Sequence, residues 1–190
     1  MSMKVNERVD AKGLACPMPI VKTKKAVETM NAGEVLEVQA TDRGSLADLK
    51  GWAKTTGHEY VGTREAGDVL YHYVRKADPV ETKEETPFLH EVTNEALNEV
   101  RTRDNVTVLD VREPAEYGFA HIPEAVSIPL GELEDRMKEL DASHTIHVVC
   151  RTGRRSSMAA HMLQRNGFDH VVNVNPGMSE WDGALTEEKE

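Results

Sequence analysis

The stretch Thr145-Ile146-His147-Val148-Val149-Cys150-Arg151-Thr152-Gly153-Arg154-Arg155-Ser156-Ser157 decides the architecture of the second half of the chain. Residues 145–149 read as a continuous apolar strand, the pattern of a parallel sheet covered on both faces. A cationic, glycine-containing loop follows, and residues 154–166 continue with helical character up to Gly167. Val106-Thr107-Val108-Leu109-Asp110-Val111 is a second strand of the same kind. Ala125 to Pro129 and Val171 to Val174 supply two more, with helices expected near 93–101 and 131–139. Strands alternating with helices predict a doubly wound α/β domain with a parallel sheet.

Ligands of such sheets bind beyond the carboxyl ends of the strands, where Cys150 lies. A strand-to-helix loop aims backbone N–H groups at one point, and the helix N-terminus adds partial positive charge. Arg151, Arg154 and Arg155 add formal charge. Together these predict a lowered thiol pKa at Cys150 and a cradle for a small oxyanion. Asp110 ends the neighbouring strand and, with Arg112, is expected to brace the loop rather than react. His121 reads as a buried hydrogen-bonding residue.

The first segment reads strand, helix, strand, helix, strand, strand. Arg8 to Ala11 opens it, Pro17 starts a helix to about Gly33, and Val35 to Ala40 is the next strand. Asp42 or Ser45 is placed to cap a second helix carrying Leu46, Leu49, Trp52 and Ala53 and stopped by Gly57. Tyr60 to Arg64 and Val69 to Val74 flank the hairpin turn Glu65-Ala66-Gly67-Asp68. A small sheet with two helices on one face follows. Cys16 sits near the N-terminus of the first helix, where the dipole and Lys22, Lys24 and Lys25 predict a depressed pKa.

Composition narrows the field. The 190 residues are 39% hydrophobic and 29% charged, too apolar for wholesale disorder. Residues 1–76 carry 12 Lys and Arg against 10 Asp and Glu, and residues 77–190 carry 11 against 23. The acidic second half argues against a stable nucleic-acid partner. No apolar run approaches the ~20 residues of a membrane span, and residues 1–7 lack the apolar core of a secretory signal, so a cytoplasmic protein is expected. Two cysteines make no disulfide scaffold, and no metal-ligand spacing occurs; no metal or cofactor is expected. Residues 77–87, acidic and bracketed by prolines, read as a linker between domains at 1–76 and 88–190, and 186–190 as a frayed tail.

Asp110-Val111-Arg112-Glu113-Pro114-Ala115-Glu116-Tyr117, His121-Ile122-Pro123, Ile128-Pro129-Leu130, the loop 150–156, Gly177-Met178 and Trp181 together resemble a single-domain rhodanese over roughly 88–185. The resemblance implies sulfurtransferase activity, with Cys150 carrying sulfane sulfur as a persulfide and Arg151, Thr152, Gly153, Arg154 and Arg155 binding the donor. Ala120 and Glu124 depart from the glycines usual around His-Ile-Pro. Asp10-Ala11-Lys12-Gly13-Leu14-Ala15-Cys16-Pro17-Met18-Pro19, Thr41-Asp42 and 52–58 resemble the TusA (SirA-like) sulfur carriers across about 5–76. That resemblance implies a small two-layer α/β sandwich whose Cys16 accepts and hands on sulfur.

The expected function is therefore a relay. A small donor, thiosulfate or a low-molecular-weight persulfide, loads Cys150, and Cys16 delivers the sulfur to a thiol acceptor or a sulfur-accepting protein. Two other classes compete: a non-catalytic carrier or adaptor loaded by partners, and a dithiol redox protein. A phosphatase of the same fold is disfavoured. Its loop places arginine six residues after the cysteine, where this chain has Ser156.

Overall fold

The computed structural model describes residues 4–82 and 86–187. These form two compact units that divide at Thr82 and Lys83. In the first unit β1 (Glu7–Ala11), β2 (Val35–Ala40), β3 (Glu59–Ala66) and β4 (Val69–Arg75) build a sheet in the order β1-β2-β4-β3. β1 and β2 are parallel and the other pairs antiparallel. Alternation along β2 turns Leu36 and Val38 toward the helices. There they pack with Val27 of α1 (Met18–Thr29) and Leu49 of α2 (Ser45–Thr56). α1 starts one residue later than expected, with Pro17 as its N-cap and Pro19 in its first turn. Neither Asp42 nor Ser45 is the N-cap of α2. Gly44 takes that place, and Asp42 Oδ1 accepts its N–H at 3.0 Å.

The second unit is a five-stranded parallel sheet in the order β5-β9-β8-β6-β7. Its strands are β5 (Glu91–Val92), β6 (Val106–Asp110), β7 (Val126–Ser127), β8 (Thr145–Val149) and β9 (Val171–Val174). Both faces are covered, which is why β8 reads as unbroken apolar sequence. Ile146, Val148 and Cys150 pack toward α6 (Arg154–Arg165) and α5 (Leu133–Arg136). Val149 packs on the other side with Leu97 of α3 (Asn94–Val100).

α4 (Pro114–Phe119) was not among the expected helices. Proline in its first turn and a Glu113–Glu116 capping box start it. The helix expected over 131–139 is one turn of α-helix between two 3-10 turns.

The linker and the tail hold local structure that composition did not suggest. Residues 79–82, within the expected linker, form a 3-10 turn, and Arg75 donates to Glu81 at 3.0 Å. On the far side Phe88 is buried, and Ser157 Oγ takes its N–H at 3.0 Å. Residues 83–85 lie outside the described residues. In the tail, the Thr186 N–H and carbonyl pair with His121 at 2.9 and 2.8 Å, while 188–190 lie outside the described residues.

The sheet edge is locked from α4. Arg155 Nη1 and Nη2 donate to the Glu116 Oε2 and Oε1 at 2.7 and 2.9 Å, and both residues are buried. Removing one partner strands the other charge, at a cost of about 3–5 kcal/mol. Glu116→Gln is expected to lower the thermal midpoint of the second unit sharply. Glu116→Leu combined with Arg155→Met should restore most of it. An unchanged midpoint in Glu116→Gln, read by calorimetry, would show that the pair carries little.

Candidate sulfur-transfer site

Cys150 leaves the end of β8 with its side chain 1% exposed. Its carbonyl accepts Met178 N–H, and the Arg151 carbonyl accepts Ser179 N–H, both at 2.8 Å. The loop is therefore pinned from behind by the segment after β9. That approach needs Gly177, because a Cβ there would lie 2.4 Å from the Cys150 carbonyl oxygen, at a φ of +84°. Gly153, at φ +86°, is the N-cap of α6. Its carbonyl accepts from Asn173 Nδ2, which also donates to Glu91. The first-turn N–H groups of α6, which find no carbonyl within their own helix, point back toward this loop. Ser156 Oγ lies 3.3 Å from Cys150 Sγ.

The sequence-predicted residues separate here. Cys150, Arg151, Thr152 and Gly153 form the loop, and Arg154 is the first residue of α6, exposed. Arg155 is placed apart from these: its guanidinium is held in the buried pair with Glu116. Asp110 and Arg112 form another buried pair, with Nε to Oδ1 at 2.9 Å and Nη2 to Oδ2 at 2.6 Å. Arg112 Nη2 also donates to the Ala120 carbonyl at 2.8 Å, tying the end of β6 to the end of α4. His121 stacks on Tyr117, and its Nδ1 lies 2.8 Å from the Tyr117 carbonyl oxygen.

Cys16 is exposed, in the turn between β1 and α1. Its N–H donates to Asp42 Oδ2 at 3.0 Å. Gly13 N–H donates to Thr41 Oγ1 at 2.9 Å, so the loop after β1 is sewn to the loop after β2. The pKa expectation is overturned. A hydrogen bond to the Asp48 carboxylate, then partial loss of hydration, then the Asp48 and Asp42 charges push the Cys16 thiol above its ordinary value. Two of the nearby lysines are occupied elsewhere: Lys22 Nζ on the Asp10 carbonyl, Lys12 Nζ on Gln39. Ser156, Asp42 and Asp48 were missed as site residues. Ser156 stood six residues after Cys150, and Asp42 stood in the TusA-like pattern. Asp48 carried no local signal.

Among the described residues, no group of three or more His, Cys, Asp or Glu side chains could hold a metal ion, and no helix is long and apolar enough to cross a membrane.

The fold and the two thiol loops define a sulfur-handling protein of two α/β domains. Residues 7–76 match the family described as Sulfurtransferase TusA, and residues 93–184 the Rhodanese-like domain. The chain is 50% identical over 182 residues, 95% of its length and 98% of the other's, to the putative sulfur carrier protein YrkF of Bacillus subtilis. It is 49% identical over 74 residues, 39% of this chain and 99% of the other, to the putative sulfur carrier protein YrkI of the same organism. It is 34% identical over 96 residues, 50% of this chain and 92% of the other, to the putative sulfurtransferase YtwF of that organism. The chain belongs to the family in which a TusA sulfur-carrier domain is fused to a rhodanese domain.

The carboxylates at Cys16 disfavour its thiolate, so removing one must lower the thiol's pKa. In the Cys150→Ala chain, Asp48→Asn is expected to move the pH profile of Cys16 alkylation by iodoacetamide to lower pH and to speed alkylation at neutral pH. A profile that stays put or moves upward would contradict the assignment.

Proposed function

We propose that the chain takes sulfane sulfur from thiosulfate or a low-molecular-weight persulfide onto Cys150 and relays it to Cys16 for delivery to a thiol acceptor or a sulfur-accepting protein. The observation that carries this reading is the placement of Cys150, pinned at the sheet's carboxyl edge with Ser156 Oγ 3.3 Å from its sulfur. With thiosulfate, the Cys150 thiolate attacks the outer sulfur. The Cys150 S–S bond forms, the donor S–S bond breaks, and sulfite leaves with the electron pair. Arg151, Thr152, Gly153 and Arg154 would hold the donor's anionic end, with Asp110 and Arg112 fixing the strand end behind them. In the second step the Cys16 sulfur attacks the outer persulfide sulfur, and Cys150 departs as thiolate. The departing charge meets the Ser156 hydroxyl and the α6 N-terminus.

The domains we propose are residues 1–76 as carrier and 88–190 as sulfurtransferase. Its setting is the cytoplasm, where small thiols keep both cysteines reduced. A second reading, a carrier loaded by partners without turnover, draws on the sulfur-carrier name of the relative that matches nearly the whole chain.

Steady-state turnover decides between them. With thiosulfate and a small thiol acceptor, wild type should turn over and Cys150→Ser should be inactive. Cys16→Ser should still load Cys150. Arg154→Gln should lower kcat/KM for the anionic donor about ten- to a hundredfold, the range of one charge-assisted hydrogen bond. Arg155→Gln should act mainly on stability. Full turnover in folded Cys150→Ser would contradict the proposal, and absence of turnover in wild type would favour the carrier reading.

A further inference from the structure

One buried titratable group has no part in the chemistry above. His72, in β4, is fully buried, yet a run of hydrogen bonds connects it to the Cys16 loop. Ser45 Oγ donates to the Asp42 carbonyl at 2.6 Å. With its only proton committed there, that oxygen is an acceptor toward His72 Nε2 at 2.9 Å, so Nε2 carries the hydrogen. His72 Nδ1 is then the acceptor for the Tyr60 hydroxyl at 2.7 Å, and Thr63 Oγ1 lies 3.2 Å from the same nitrogen. Tyr60 and Thr63 hydrogen-bond each other. The chain continues past Asp42, because Oδ1 and Oδ2 take the N–H groups of Gly44 and Cys16. One path of polar contacts runs from β3 through β4 to the amide of the carrier cysteine.

Neutral imidazole suits this place. Each ring nitrogen has one assigned role, donor at Nε2 and acceptor at Nδ1, whereas a protonated ring would be a donor at both. Burial first, then the charge of Lys50, pulls the His72 pKa down to about 4, so the ring is uncharged near neutrality. A buried polar side chain with every partner satisfied rigidifies what it touches. Here that is Asp42, whose backbone and carboxylate are both fixed.

We propose that His72, in its neutral Nε2–H form, is a positioning residue for sulfur transfer at Cys16. It sets the Ser45 hydroxyl, which sets Asp42, which holds the Cys16 amide. This inference rests on the reading of Cys16 as the sulfur-accepting residue. His72 touches neither thiol nor donor; it fixes the loop from which the thiol attacks.

The test uses the full chain. Nitrogen-15 NMR of labelled histidine on wild type should find His72 neutral and protonated at Nε2 at pH 7. Ser45→Ala and His72→Leu should each speed exchange of the Cys16 amide and slow sulfuration of Cys16 by glutathione persulfide. The expected factor is about three- to tenfold, matching one ordinary hydrogen bond. Exchange at Val38 and Val74 should not change, which separates a local effect from global loosening. The double variant should be no worse than the worse single one, since both break the same path. His72→Gln, which keeps a donor and an acceptor, should recover part of the rate. An Nδ1–H tautomer, additive losses, or an unaltered Cys16 amide would each overturn the proposal. If wild-type Cys16 takes no sulfur at all, the carrier reading falls and this inference with it. Normal sulfuration in every variant removes this inference alone.

Discussion

The buried pair between Arg155 and Glu116 governs how the rhodanese domain presents its loop. Arginine in the first turn of a helix opposes the helix dipole and needs a compensating anion. Glu116 supplies it, and the same carboxylate accepts the Glu113 N–H that starts α4. One side chain therefore fixes the starts of two helices flanking the sheet's carboxyl edge. The consequence for chemistry is selective. Of the three arginines that follow Cys150, Arg155 is held by Glu116, which leaves Arg151, Arg154 and the backbone for the donor binding proposed above.

The two thiols stand in unlike surroundings. Cys150 is enclosed, with a hydroxyl and a helix N-terminus nearby and its carbonyl clamped by the turn at Gly177. Cys16 is open to solvent, with carboxylates beside it. With its pKa raised, Cys16 is, once deprotonated, a more nucleophilic sulfur than an ordinary thiolate. The proposed relay, with Cys150 as loader and Cys16 as carrier, draws on this difference.

Much of this was legible from local sequence. Continuous apolar strands at 106–111 and 145–149 announced a sheet covered on both faces, and the cysteine closing the second of them sat where such sheets bind ligands. What sequence could not convey was long-range pairing. The lysines after Cys16 lie close in the chain and suggested a cationic setting that would depress the thiol's pKa. Asp48 reaches the thiol because α2 packs beside α1, and Asp42 reaches the Cys16 loop because β2 pairs with β1; together they reverse the sign. Arg155 reads in sequence only as a loop cation, because its partner Glu116 lies 39 positions away. The turn at 79–82 was hidden for a related reason: its acidic composition pointed to solvent, while Arg75 of β4 holds Glu81 in place.

The central claim is an ordered passage of sulfur, and time-resolved intact-mass and peptide analysis after one equivalent of donor addresses it directly. Wild type should gain one sulfur atom at Cys150 first, with the label then appearing at Cys16 as it leaves Cys150. Cys16→Ala should stop at loaded Cys150, and Cys150→Ala should leave Cys16 bare on the same timescale. Sulfuration of Cys16 in Cys150→Ala at the wild-type rate would contradict the relay.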